Sequence, residues 1–269
     1  WRTSINDIER RVDELDESES QRLDISVDNT DVMTMDTSGN VGIGSTSPDT
    51  RLYVQDNVTI NGSSGSLLSV KTDGSLSGWS NNSNTLPGGR RDHTSVVANG
   101  YVYVMGGRDG GSTANRDTVY YVKLNANGST GAWINSTTNT LPAIRKFHSS
   151  VVANGYVYVI GGYDTAYRDT VYYARLNPDG STGVWRTNDN ALPEAIGLQS
   201  SVVANGFLYI LGGYDDSVFK DTVYYAKLNA DGSTGAWANT STLPKLRGKH
   251  GSTVANGYVY VMGGQLGSG

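Results

Sequence analysis

The sequence predicts an all-β fold: a four-bladed β-propeller whose closing blade is split between the chain ends, on a short N-terminal helical and β stem. Three observations predict it. Glycine fills 34 of 269 positions, too many for a mostly helical chain when each helix-interior glycine costs up to ~1 kcal/mol. Ala-Asn-Gly recurs at Ala98–Gly100, Ala153–Gly155, Ala204–Gly206 and Ala255–Gly257, in steps of 55, 51 and 51 residues, the length of one four-stranded blade. Complementary half-motifs stand at the two ends. Leu67–Val70 with Trp79 match only the second half of the repeat, and His250–Gly264 only the first.

Composition removes other classes. Six prolines and no three-residue period exclude collagen. No apolar run approaches 18 residues, so no membrane span is expected within this segment. The absence of cysteine excludes disulfides, thiol catalysis and Cys-ligated zinc, and leaves the redox compartment open. Residues 1–60 hold 13 acidic and 5 basic side chains, and residues 61–269 hold 13 and 16. An acidic front and a mildly basic body read as two modules. Neither is basic enough to imply a nucleic-acid partner.

In chain order, residues 1–24 come first. Ile5, Ile8, Val12 and Leu15 are spaced as a heptad seam amid charge. A coiled coil and a single solvated amphipathic helix both fit. Residues 25–60 read as a β stem, and 61–66, Asn-Gly-Ser-Ser-Gly-Ser, as a flexible linker. The propeller follows over 67–269, with whole blades at 88–142, 143–193 and 194–244. In the middle blade, 148–153 is the first strand and Asn154-Gly155 a two-residue hairpin turn. Tyr156–Ile160 is the second strand, ending at Gly161-Gly162. Thr170–Leu176 is the third, Asp179-Gly180 turns the chain, and Trp185 opens the fourth.

A β-strand ending in Gly-Gly, then Tyr173, then Trp185, at this period, resembles the kelch repeat across about 66–264 in four copies. The third-to-fourth hairpin is longer here than the usual motif. The resemblance implies a propeller, a fold that hosts both enzymes and binding modules. Ser38–Pro48 followed by Arg51–Val54 resembles a segment of phage tail fibres and bacterial surface fibres. That resemblance implies a trimeric stem and an extracellular, cell-surface or virion setting.

Comparison of the copies locates a candidate face. First-to-second and third-to-fourth turns share one side and are near-identical in all copies. Second-to-third and fourth-to-first loops share the other side and diverge, through recruitment for binding or through plain drift. The divergent loops carry Arg90, Arg91, Arg108, Arg116, Arg145, Lys146, Arg168, Lys220, Lys245, Arg247 and Lys249, 11 of the 21 basic residues. They also carry Phe147, Tyr163, Tyr167, Tyr214 and Phe219. Guanidinium forks suit carboxylate and phosphate, and aromatic faces suit sugars and cations.

From this set, Arg90, Arg91, Arg108, Arg145, Lys146, Phe147, Tyr163, Tyr167, Tyr214, Phe219, Arg247 and Lys249 are the candidate ligand-binding residues. Replacing Arg145, Lys146 and Phe147 together is expected to leave the blades intact. His93, His148 and His250 share one repeat position, filled by Gln199 in the other copy. They read as structural histidines bonded to a neighbouring blade rather than as a metal site. No cofactor is expected. Asn177–Gly180 lacks the distal ligands of a calcium loop and reads as a hairpin. There is no cysteine for a Cys–Tyr copper centre and no close carboxylate pair beyond Asp215/Asp216. The reading is therefore a non-enzymatic extracellular adhesion module on a trimeric stem, binding a cell-surface glycan or surface protein. The alternatives are a structural fibre subunit and a carbohydrate-active enzyme.

Overall fold

The computed structural model describes residues 81–267 continuously and, before them, four short strands between residues 23 and 54. Those four, β1 (Leu23–Val27), β2 (Thr30–Met35), β3 (Val41–Ile43) and β4 (Leu52–Val54), form one sheet in that order. β4 runs parallel to β3 and the other pairs are antiparallel. Leu23 and Asp24 thus begin a strand instead of ending the expected helix. The heptad seam itself lies outside the described residues. The chain divides into two compact units, 1–65 and 66–269.

The second unit is built from blades. Blade one contains β5 (Arg90–Arg91), β6 (Thr94–Ala98), β7 (Tyr101–Met105), β8 (Arg108–Asp109), β9 (Val119–Lys123) and β10 (Ile134–Asn135). Its sheet runs β6–β7–β9–β10, with β5 paired to β8 at one end. Blade two is β11 (Ser149–Ala153), β12 (Tyr156–Ile160), β13 (Val171–Arg175) and β14 (Arg186–Thr187), all antiparallel in sequence order. Blade three repeats this with β15 (Ser200–Ala204), β16 (Phe207–Tyr214), β17 (Phe219–Lys227) and β18 (Ala238–Asn239). A fourth unit has β19 (Arg247–Gly248), β20 (Gly251–Ala255), β21 (Tyr258–Met262) and β22 (Gln265–Leu266). There β20 pairs with β21 and β19 with β22. The described residues therefore hold three four-stranded blades and one two-stranded one. Residues 67–80, expected to complete the last blade, lie outside the described residues.

Local chemistry accounts for the blades. Each Asn-Gly turn has both residues in the left-handed region, for instance Asn154 at φ 52° and Gly155 at φ 78°, as a type I′ hairpin requires. A lone two-stranded hairpin is marginal in water, so burial comes from stacking. Tyr103, Met105 and Val119 of blade one pack against Val157, Val159, Tyr172 and Trp185 of blade two. Tyr158, Ile160 and Val171 of blade two pack against Leu208, Ile210 and Leu228 of blade three. Tryptophan adds a strut at each junction. Trp133 Nε1 donates to Asn84 O (3.2 Å), Trp185 Nε1 to Asn139 O (3.2 Å) and Trp237 Nε1 to Asn190 O (3.0 Å).

The Gly-Gly pair is dictated by two close approaches. A Cβ on Gly161 would sit 2.5 Å from Ile196 O and 2.8 Å from Gln199 Nε2, both from the next blade. A Cβ on Gly162 would sit 2.6 Å from Lys146 O and 2.7 Å from His148 Cβ, both from its own blade. The first glycine admits the neighbour, and the second closes the blade on itself.

Candidate functional site

The divergent loops are ordered by pairing with one another. Beyond β5–β8 and β19–β22, Lys146 bridges Tyr163 and Gly197 bridges Tyr214. Each fourth-to-first connection thereby lies beside the second-to-third loop of the blade it enters. At the axis end, four residues hold left-handed backbone: Asp92 (φ 60°), Phe147 (φ 58°), Leu198 (φ 60°) and Lys249 (φ 56°). Their amides form a relay between blades. Phe147 N donates to Asp92 O (3.1 Å), Leu198 N to Phe147 O (2.7 Å) and Lys249 N to Leu198 O (2.7 Å). They border a depression of about 250 Å³ that His148, Gln199 and His250 also line.

Most candidate cations are already engaged. Arg90, its side chain almost wholly buried, meets Asp109 at 3.1 Å and lies over the Tyr120 ring at 5.6 Å. Asp109 also binds Arg116. Arg91 donates to Ser112 O (3.4 Å), and Arg108 stands 3.6 Å from Asp92. Arg168 meets Asp164 at 2.8 Å, and Lys220 meets Glu194 at 3.0 Å and Asp215 at 2.6 Å. Arg247 donates to Gly263 O (3.0 Å) and Lys249 to Gln265 Oε1 (2.8 Å). Burial opposes ionisation of Asp164. The Arg168 guanidinium and the Thr165 and Ala166 amides outweigh it and hold the carboxyl well below the usual range.

Arg145 corrects the sequence reading. It is 1% exposed, and no ligand on the face reaches it. Nη1 donates to Gly161 O (3.2 Å), Nη2 donates to Tyr172 Oη (2.9 Å), and the guanidinium lies 5.1 Å from the Tyr172 ring centre. A variant lacking it is therefore expected to disturb blade two rather than leave the blades intact. The sequence held a signal for this: the Arg90, Arg145 and Arg247 position is Ile196 in the remaining copy, and alternation of arginine with isoleucine marks a buried site. In blade three Glu194 takes over the tyrosine, accepting from Tyr224 Oη at 2.9 Å.

The aromatic candidates do come together. Tyr163 meets Tyr167 at 5.2 Å, Tyr167 meets Tyr214 at 5.6 Å and Tyr214 meets Phe219 at 5.1 Å between ring centres. Lys146 Nζ sits 4.8 Å from both the Phe147 and Tyr163 rings. All six side chains are half-buried. They form one ladder across blades two and three. Tyr167 and Phe219 are seated on Gly197 and Gly248, where a Cβ would come within 2.8 Å of either ring.

The shared histidine position is a blade-to-blade wedge. Gln199 Nε2 donates to Ile160 O of the preceding blade at 2.8 Å. His148 lies in the equivalent slot against Met105, its Cε1 2.8 Å from a Cβ built on Gly106, without meeting hydrogen-bond geometry. Among the described residues, no three His, Asp or Glu side chains cluster as metal ligands. The Asp179 carboxylate accepts from Ser181 N (2.9 Å) and Oγ (2.7 Å), closing the hairpin expected there.

Burial, reinforced by Arg145, pushes the His148 pKa down to about 3. The unfolded chain titrates near 6.5 and binds the proton more readily. His148 therefore costs nothing above pH 6.5, and stability falls as pH drops from there toward 3. By pH 5 the loss is about 2 kcal/mol. His148→Gln, copying Gln199, is expected to shrink the pH 7 to pH 5 difference in urea-melt stability by that amount. An unchanged difference would place the acid sensitivity elsewhere.

A side-by-side stack of antiparallel blades, with repeated turns on one side and a paired, aromatic loop face on the other, defines a β-propeller repeat protein. The family described as the KLHDC2/KLHL20/DRC7 Kelch-repeats domain matches residues 57–266, and the chain belongs to it. Kelch domain-containing protein 1 of Homo sapiens is 32% identical over 98 residues, 35% of this chain and 24% of that protein. Kelch domain-containing protein 3 of Rattus norvegicus is 30% identical over 142 residues, 49% and 36% respectively. Spermatocyte protein spe-26 of Caenorhabditis elegans is 28% identical over 127 residues, 46% and 22%. The matched stretch spans between about a fifth and a third of these relatives.

Proposed function

We propose that the protein is a non-enzymatic binding module that docks a partner protein on the ladder Phe147–Lys146–Tyr163–Tyr167–Tyr214–Phe219. The ladder itself carries this reading: a continuous, half-buried aromatic strip with one stacked lysine, on rigid loops. Rigid aromatic anchors are what protein interfaces concentrate their binding energy in. The paired cations beside it argue against a polyanionic ligand, since each already faces a carboxylate, carbonyl or amide. Glycan recognition from a trimeric extracellular stem is the second reading. The same flat rings favour it, as does the seam of Ile5, Ile8, Val12 and Leu15.

A random-peptide display library panned on the wild type is expected to yield binders that lose at least tenfold in affinity against Lys146→Ala/Tyr163→Ala. Binders indifferent to that variant would move the site off the ladder. An empty peptide panning with a positive glycan array would shift the ligand to carbohydrate.

A further inference from the structure

We infer that two copies of this chain close one ring head to tail, β20–β21 of one protomer packing against blade one of the other. The inference rests on the blade-to-blade junction, which the chain makes three times and leaves half-made at both ends.

Side chains buried at internal junctions are bare at the last blade. Tyr103 and Tyr158 are 0% exposed, as are Met105 and Ile160. Their counterparts Tyr260 and Met262 are 45% and 55% exposed. Among the described residues β21 pairs only with β20, and a strand edge without a partner invites another strand.

Two specific fittings are also vacant, and in complementary fashion. At internal junctions the notch over the first glycine of the Gly-Gly pair receives the next blade's wedge: Gly106 takes His148, Gly161 takes Gln199 and Gly212 takes His250. The Gly263 notch holds no atom of a described residue within 4 Å, and His93 at the other end is exposed. Likewise Tyr101 covers the Gly180 hairpin and Tyr156 the Gly232 hairpin. No described residue covers the Gly128 hairpin, and Tyr258 is 69% exposed. One end thus offers Tyr258 and an empty notch, and the other a bare hairpin and a free wedge.

The described residues do not satisfy these fittings among themselves. Side-by-side packing of innermost strands runs β6–β11–β15–β20, with no comparable packing of β20 against β6. Meanwhile Asn84 Nδ2 donates to Thr130 O (2.6 Å) on blade one, as Asn139 Nδ2 donates to Thr182 O (2.7 Å) on blade two. Residues 81–87 therefore act as the tail of a blade preceding blade one. Two identical head-to-tail contacts close under twofold symmetry.

The chain has no cysteine, so thiols can be placed at will. Ala126→Cys in the Gly128 hairpin and Tyr258→Cys are made in separate chains, mixed, and treated with a short bis-maleimide. The expected product is a cross-linked species of twice the chain mass, and the unmodified chain is a dimer by native mass spectrometry at micromolar concentration. Absence of the cross-link overturns the inference, whether the chain is a monomer or an oligomer held by its stem. A double variant that links within a monomer overturns it in favour of four-bladed self-closure. A ladder of ever larger cross-linked masses overturns it in favour of an open filament.

Discussion

Arg145→Ala is expected to cost about 3 kcal/mol of folding stability. The deletion removes two hydrogen bonds from a charged donor, strands the Gly161 carbonyl and the Tyr172 hydroxyl, and opens a cavity beneath the ring. No carboxylate touches this guanidinium among the ion pairs of the described residues. Its loss therefore leaves no opposite charge buried alone. Arg145→Met, which keeps most of the volume, is accordingly expected to cost only about 1–2 kcal/mol. Urea melts of the two variants against the wild type check both values. Equal losses would mean that the guanidinium's hydrogen bonds within blade two, not its packing, supply the stability.

Gly161→Ala is expected to be at least as damaging, about 3 kcal/mol or more. The new methyl would lie 2.5 Å from Ile196 O, in backbone at φ 59°, and relief means separating blades two and three. Gly155→Ala in the same blade is the control. Its φ is 78° with no described residue within 4 Å of the added carbon, so it meets only the left-handed penalty, about 1 kcal/mol. A melt in which the two glycine variants match would remove steric contact as the reason for the Gly-Gly pair.

The blades were legible because their determinants are local. Asn154-Gly155 can make only one kind of tight hairpin, and Tyr156–Ile160 is β-branched and aromatic throughout. The location of the variable loops followed from strand alternation alone. What stayed hidden depends on pairing between blades. Arg145 and Lys146 are adjacent in sequence, yet one is buried under Tyr172 and the other stacks between Phe147 and Tyr163. Counting basic residues overstated the charge of the face, because Asp109, Asp164 and Asp215 fold back on Arg116, Arg168 and Lys220. Which ends meet is hidden for a related reason. Complementary half-motifs imply that the ends are compatible, but not that they belong to the same molecule.

The amide relay linking Asp92, Phe147, Leu198 and Lys249 uses only main-chain atoms. An acid, an aromatic, an aliphatic and a base occupy its four positions, and the geometry is the same at each. Architecture and chemical identity are thus uncoupled at the mouth of the axis. Side chains there are free to drift, because the bonds that hold neighbouring blades in line never consult them. A lineage of such proteins can rewrite the chemistry of this opening one residue at a time, without passing through an unfolded intermediate sequence.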